Sequence, residues 1–149
     1  MAAWLRLGVA TVICLVVLAG VLTRPLGVRA AVQAYDEAAE DDLALRKAVL
    51  SRGEEAAPAL IERALSPRCR SRERIVLLLR ELEPEEAYAA FAKALKEFRL
   101  EHRVCAAEAL GMLGKADARP LLEWALRSDD ARLEAAARSA LHRFEREVQ

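Results

Sequence analysis

Little in this chain favours extended backbone. Beyond the first 32 residues β-branched side chains are scarce, and aromatics make up only 5% of the whole, which argues against an all-β fold. Six glycines and five prolines in 149 residues are too few for a collagen-like or low-complexity chain. The three cysteines, Cys14, Cys69 and Cys105, are too widely spaced for a disulfide framework. The only histidines, His102 and His142, cannot join them in the four-ligand clusters of structural zinc. No Gly-rich phosphate loop and no serine elbow is present. The sequence therefore leads us to expect no catalytic residues, no cofactor, no metal and no enzymatic activity.

Neither charge sign is in excess, with 23 basic and 23 acidic residues. The balance is uneven along the chain. Residues 1–30 hold Arg6, Arg24 and Arg29 and no acid, leaving 20 basic residues against 23 acidic ones in the rest. A slightly acidic globular part lacks the basic footprint that grips a phosphate backbone, so nucleic acid is not expected as a partner. What remains is rich in Ala, Leu, Arg and Glu, the strongest helix formers. With 54% hydrophobic and 31% charged residues, the chain is expected to be all-α with a buried core.

The run Leu7–Thr23 carries no charge, and Arg6 and Arg24 bracket it. A bilayer span needs ~20 mostly apolar residues, and Trp4 lies where an interfacial anchor belongs. The expectation is an N-terminal transmembrane anchor over residues 1–25, in the membrane through residues 4–23, with residues 26–149 forming a second region. A cleaved secretory signal is the main alternative, with Val28-Arg29-Ala30 as a tolerable cleavage site. A buried core helix is the third. Positive charges flank the run almost equally, and the exported side is weakly favoured for the remainder.

The remainder repeats. Ala64-Leu65, Ala94-Leu95 and Ala125-Leu126 fall 30 and 31 residues apart, preceded by Leu60-Ile61, Ala90-Phe91 and Leu121-Leu122. These are i, i+4 stripes of an amphipathic helix, here named B-type. A second column, Val49, Leu79, Leu110 and Leu141, marks an A-type helix, with Ala48, Leu78, Ala109 and Ala140 before it. Gly53, Pro84 and Gly114 separate each A helix from the next B helix, and Ser128 or Asp129 suits the cap of the last A helix. Val28 to Tyr35 fits a degenerate first B helix. Each helix has a stripe it cannot bury alone, so the pattern implies a short α-solenoid of about four stacked helical pairs.

The stretches Arg103–Leu126 and Asp129–Leu141, with Gly53–Ile61 turning into a second helix, resemble short HEAT repeats. The nearest flavour is the HEAT-like repeat first named from phycobilisome lyase subunits. The resemblance spans about residues 40 to 145. It implies ion pairs between neighbouring repeats from the column Asp42, Arg72, Arg103, Glu134, giving Asp42–Arg72 and Arg103–Glu134. It also implies that the B-type helices line a concave face. There the columns Arg63, Lys93, Trp124 and Ser66, Lys96, Arg127 place a large aromatic at an exposed position among cations, the composition of an interface hot spot.

The expected function is a membrane-tethered scaffold that binds another protein through Arg63, Lys93, Lys96, Trp124 and Arg127. The competing expectations are burial of Trp124 under Phe144 or Val148, and an accessory role in a bilin-lyase-like enzyme. The acidic cluster Asp36, Glu37, Glu40, Asp41, Asp42 is expected to neutralise Arg68, Arg70, Arg72 and Arg74 one repeat later, through Glu40–Arg70 and Asp42–Arg72.

Overall fold

The computed structural model describes residues 27–147, and the expected anchor over residues 1–25 lies outside them. Among the described residues every regular element is helical. The described residues begin with α1 (Val28–Glu37), whose Ala31, Val32 and Tyr35 are buried. In α2 (Leu43–Leu50), the Asp42 carboxylate accepts from the Ala44 and Leu45 N–H groups, satisfying two of the donors that a helix start leaves without partners. A 3₁₀ turn over Gly53–Ala56 leads into α3 (Ala57–Leu65), with Pro58 in its first turn. Next come α4 (Arg72–Leu82) and α5 (Glu85–Glu97), then α6 (Leu100–Leu113), α7 (Ala118–Ala125) and α8 (Ala131–Glu147).

The helices form two layers. α1, α3, α5 and α7 lie side by side in one, and α2, α4, α6 and α8 in the other, each B helix packed on the A helix that follows it. The repeat columns supply the core: Ala64, Ala94 and Ala125 are buried, as are Val49, Leu79 and Leu110. This is the α-solenoid that the columns predict. α6 is a special case, because it packs against α3, α4, α5, α7 and α8 together. Its Ala106, Ala107, Ala109 and Gly111 are accordingly buried on several faces. A Cβ built on Gly111 would lie 2.5 Å from the Ala140 Cβ and 2.7 Å from its Cα, so no larger residue fits where α6 meets α8. On the outer side Arg143 of α8 donates to Glu73 of α4 at 3.0 Å, a link that passes over α6.

Two turns differ from expectation. The left-handed residue after α4 is Glu83, at φ 48°, in the column that holds Gly53 and Gly114 at φ 54° and 71°. Its neighbour Pro84 is the N-cap of α5. The cap of α8 is Asp130, which accepts from the Arg132 and Leu133 N–H groups, while Ser128 Oγ accepts from the Asp130 N–H.

The expectation of a single-pass membrane protein is corrected. No helix among the described residues is long and apolar enough to cross a membrane. The longest, α8, has 17 residues and carries charges along its length, against the ~20 mostly apolar residues a span requires.

Candidate functional site

One charge in the structure is completely enclosed. Asp36, at the end of α1, is 0% exposed. Its carboxylate accepts from the Ser71 N–H at 2.7 Å, the Arg70 N–H at 3.1 Å and Arg63 Nε at 2.6 Å. The Cys69 thiol donates to it as well. Burial alone would raise this carboxyl, but the two backbone donors, Arg63 and the thiol outweigh it and hold the group below its ordinary value. Arg74 completes the corner, donating to the carbonyls of Ala38 and Glu40 and lying 5.3 Å from the Tyr35 ring centre.

The acidic and basic clusters thus do meet one repeat apart, though through other residues than the columns suggest. Asp36 takes Arg70 through its backbone N–H and forms its ion pair with Arg63, outside the basic cluster, while Arg72 pairs with Glu108. Asp42 caps α2, and Arg74 binds carbonyl oxygens. Arg63 is held in this corner by its pair with Asp36.

The expected ladder of ion pairs is also replaced. Arg72 Nε donates to the Ala64 carbonyl at 2.7 Å, and Arg103 Nε to the Leu95 carbonyl at 2.9 Å. In both repeats the arginine reaches back eight residues to the end of the preceding B helix, where carbonyls without helical partners carry partial negative charge. Arg72 is further held by Glu108 and donates to Cys105 Sγ at 2.9 Å, not by Asp42. Glu134 pairs with Arg138 in its own helix, leaving Arg103 without it.

Among the described residues Arg103 makes no ion pair, and it lies over an aromatic ring. Its guanidinium carbon is 5.6 Å from the ring centre of Trp124, within the range of a cation–π contact. Trp124 is 43% exposed. Phe144 points into the core and does not cover it, and Val148 lies outside the described residues. Phe98, 44% exposed, meets His102 edge-to-face at 6.1 Å. Phe98 and Trp124 are thus both exposed, Phe98 at the end of α5 against the first turn of α6, and Trp124 at the end of α7 against Arg103.

Of the remaining predicted residues, Lys96 and Arg127 are exposed and, among the described residues, make no ion pair, and Arg99 at the N-cap of α6 behaves likewise. Lys93 makes only a long 3.9 Å pair with Glu97. Arg103, Phe98 and Arg99 were missed from sequence, although the shared column of Arg72 and Arg103 marked the bridging position.

Both cysteines among the described residues are shifted away from the thiolate. Burial, then the Asp36 carboxylate, pushes the Cys69 thiol up to about 12. Burial also raises Cys105, which Arg72 only partly offsets. Both stay protonated near neutral pH, where neither is a nucleophile. No group of three or more metal-binding side chains forms among the described residues.

Comparison with known proteins finds no matching curated protein and no matching solved structure. A family model does match, that for HEAT repeats, over residues 57–142. It carries no sign of the phycobilisome-lyase flavour. HEAT repeats commonly mediate contacts between proteins, as scaffolds. The match covers more than half of the chain and coincides with the layered helices described above, and on that ground the chain belongs to the HEAT-repeat family.

Proposed function

We propose that this protein is a non-enzymatic binding scaffold whose partner protein docks on the B-helix layer around Trp124, with Lys93, Lys96, Arg103 and Arg127 contributing. The observation that carries this reading is Trp124 itself, 43% exposed on a helix whose other face is packed, with the Arg103 guanidinium over its ring. Trp and Arg dominate interface hot spots because each offers a large, preorganised contact area. The guanidinium is fixed from behind by the Leu95 carbonyl, so little side-chain freedom remains to be lost on binding.

The test is a photo-cross-linking residue at position 124 in cells, read by mass spectrometry. A discrete cross-link to one other protein is the expected result. Cross-links found only within residues 140–149 would instead make Trp124 a packing residue of the C-terminal helix and end the proposal.

A further inference from the structure

We infer that the surface formed by the end of α5, the start of α6 and the end of α7 receives a short acidic segment of its partner, anchored by an apolar side chain against Trp124 or Phe98. This rests on the docking reading above and adds the chemistry of what docks.

The charge pattern carries it. Elsewhere several cations are committed, Arg63 to Asp36, Arg72 to Glu108, Arg46 to Glu81 and Arg143 to Glu73, while Lys47, Arg68, Arg70 and Lys115 make no ion pair among the described residues and have no exposed aromatic beside them. Around the two exposed aromatics, Lys96, Arg99 and Arg127 have no ion-pair partner among the described residues, and Arg103 bonds only a carbonyl and a ring. Local acids are mostly occupied: Glu97 by Lys93, Glu123 by Arg119, and Asp130 by the start of α8. Among the described residues, Glu101 and Asp129 make no ion pair, so the patch keeps a positive excess.

Unpaired cations around exposed aromatics give a site that steers carboxylates in and offers an apolar anchor a surface to bury. The extent of the patch argues for a short peptide rather than a nucleic acid. Phosphate backbones demand a continuous basic track, whereas the basic run along this edge, which also holds Arg68 and Arg70, stops at Glu40, Asp41 and Asp42 beside the first repeat.

The probe is a fluorescein-labelled peptide of about a dozen residues repeating Glu-Glu-Leu, followed by anisotropy against the whole protein. A Ser-Ser-Leu peptide of equal length and a short DNA duplex are the comparisons. The acidic peptide is expected to bind about tenfold more tightly than the serine peptide, and to weaken as salt rises. The triple variant K96Q/R99Q/R127Q removes that preference, Trp124→Ala weakens binding about tenfold or more, and Lys47→Gln on α2 changes nothing. Circular dichroism verifies that each variant is folded.

Equal binding of the serine peptide, still lost in Trp124→Ala, would overturn the acidic preference while sparing the docking surface. Acidic-peptide binding untouched by Trp124→Ala would overturn the location. Tighter binding of DNA than of the acidic peptide would overturn the partner class.

Discussion

In the first two repeats the corner between the layers is filled by the chain's own polar groups: Asp36 takes the Arg70 and Ser71 N–H groups and Arg63, and Arg74 takes two carbonyls. In the last two repeats the corresponding corners leave Lys96, Arg99 and Arg127 without ion pairs, and Trp124 open beneath Arg103. The same helical positions therefore serve two ends. Where a buried carboxylate recruits the cations, they hold neighbouring repeats in register. Where no carboxylate is present, cohesion comes from the close approach of Gly111 to Ala140, and the cations face outward for a partner.

The comparison can be broken most severely at Asp36. Asp36→Ala leaves Arg63 and two N–H groups without their acceptor and should destabilise by about 3–5 kcal/mol, measured by denaturant unfolding. The same group sets an acid limit. Its carboxyl is held below the ordinary value, so its contribution is fully present above the unfolded pKa of ~3.9 and is lost as pH falls through the lower folded value. The acid-unfolding profile of the variant should lack that loss.

The paired arginines sharpen the contrast. Arg72→Ala removes bonds to two carbonyls, Glu108 and Cys105, and should cost about 2–3 kcal/mol. Arg103→Ala loses one carbonyl bond and a ring contact, and should cost only about 1 kcal/mol. Equal losses in thermal unfolding would mean that Arg103 is as structural as Arg72. In the C-terminal half, Gly111→Ala forces α8 away from α6. Overpacking of about 1–3 kcal/mol should outweigh the ~1 kcal/mol gain in helix propensity, leaving a modest net loss in denaturant midpoint. The smallest effect should be a gain. Glu83→Gly relieves a left-handed backbone next to a proline and should stabilise by about 0.5–1 kcal/mol, read as a higher Tm.

The fold was legible because a solenoid writes its packing as columns. Ala64, Ala94 and Ala125 are buried where the register put them, and Tyr35 sits in the degenerate first B helix. Columns compare side chains with side chains, however, and several of the misreadings involve backbone. Arg72 and Arg103 reach for carbonyls rather than neighbouring acids. Asp36 reaches for N–H groups, from a column otherwise occupied by Ser66, Lys96 and Arg127. The turn after α4 was placed at Pro84 because Glu83 gives no sign of a left-handed residue. In the candidate site, Lys96, Trp124 and Arg127 were readable as an aromatic among cations. Arg63 was not separable from them, since only the structure shows the carboxylate to which it is bound.

Solenoids are commonly treated as one-dimensional stacks, able to shed terminal repeats one at a time. The enclosure of α6 by five other helices alters that behaviour here. The Arg143–Glu73 link adds a tie between residues 70 positions apart. Such distant contacts couple the second repeat to the fourth and slow assembly. Truncation before α8 would therefore not yield a shorter solenoid. It would strip one wall from the most enclosed helix, and the docking surface at its first turn would be lost with the fold.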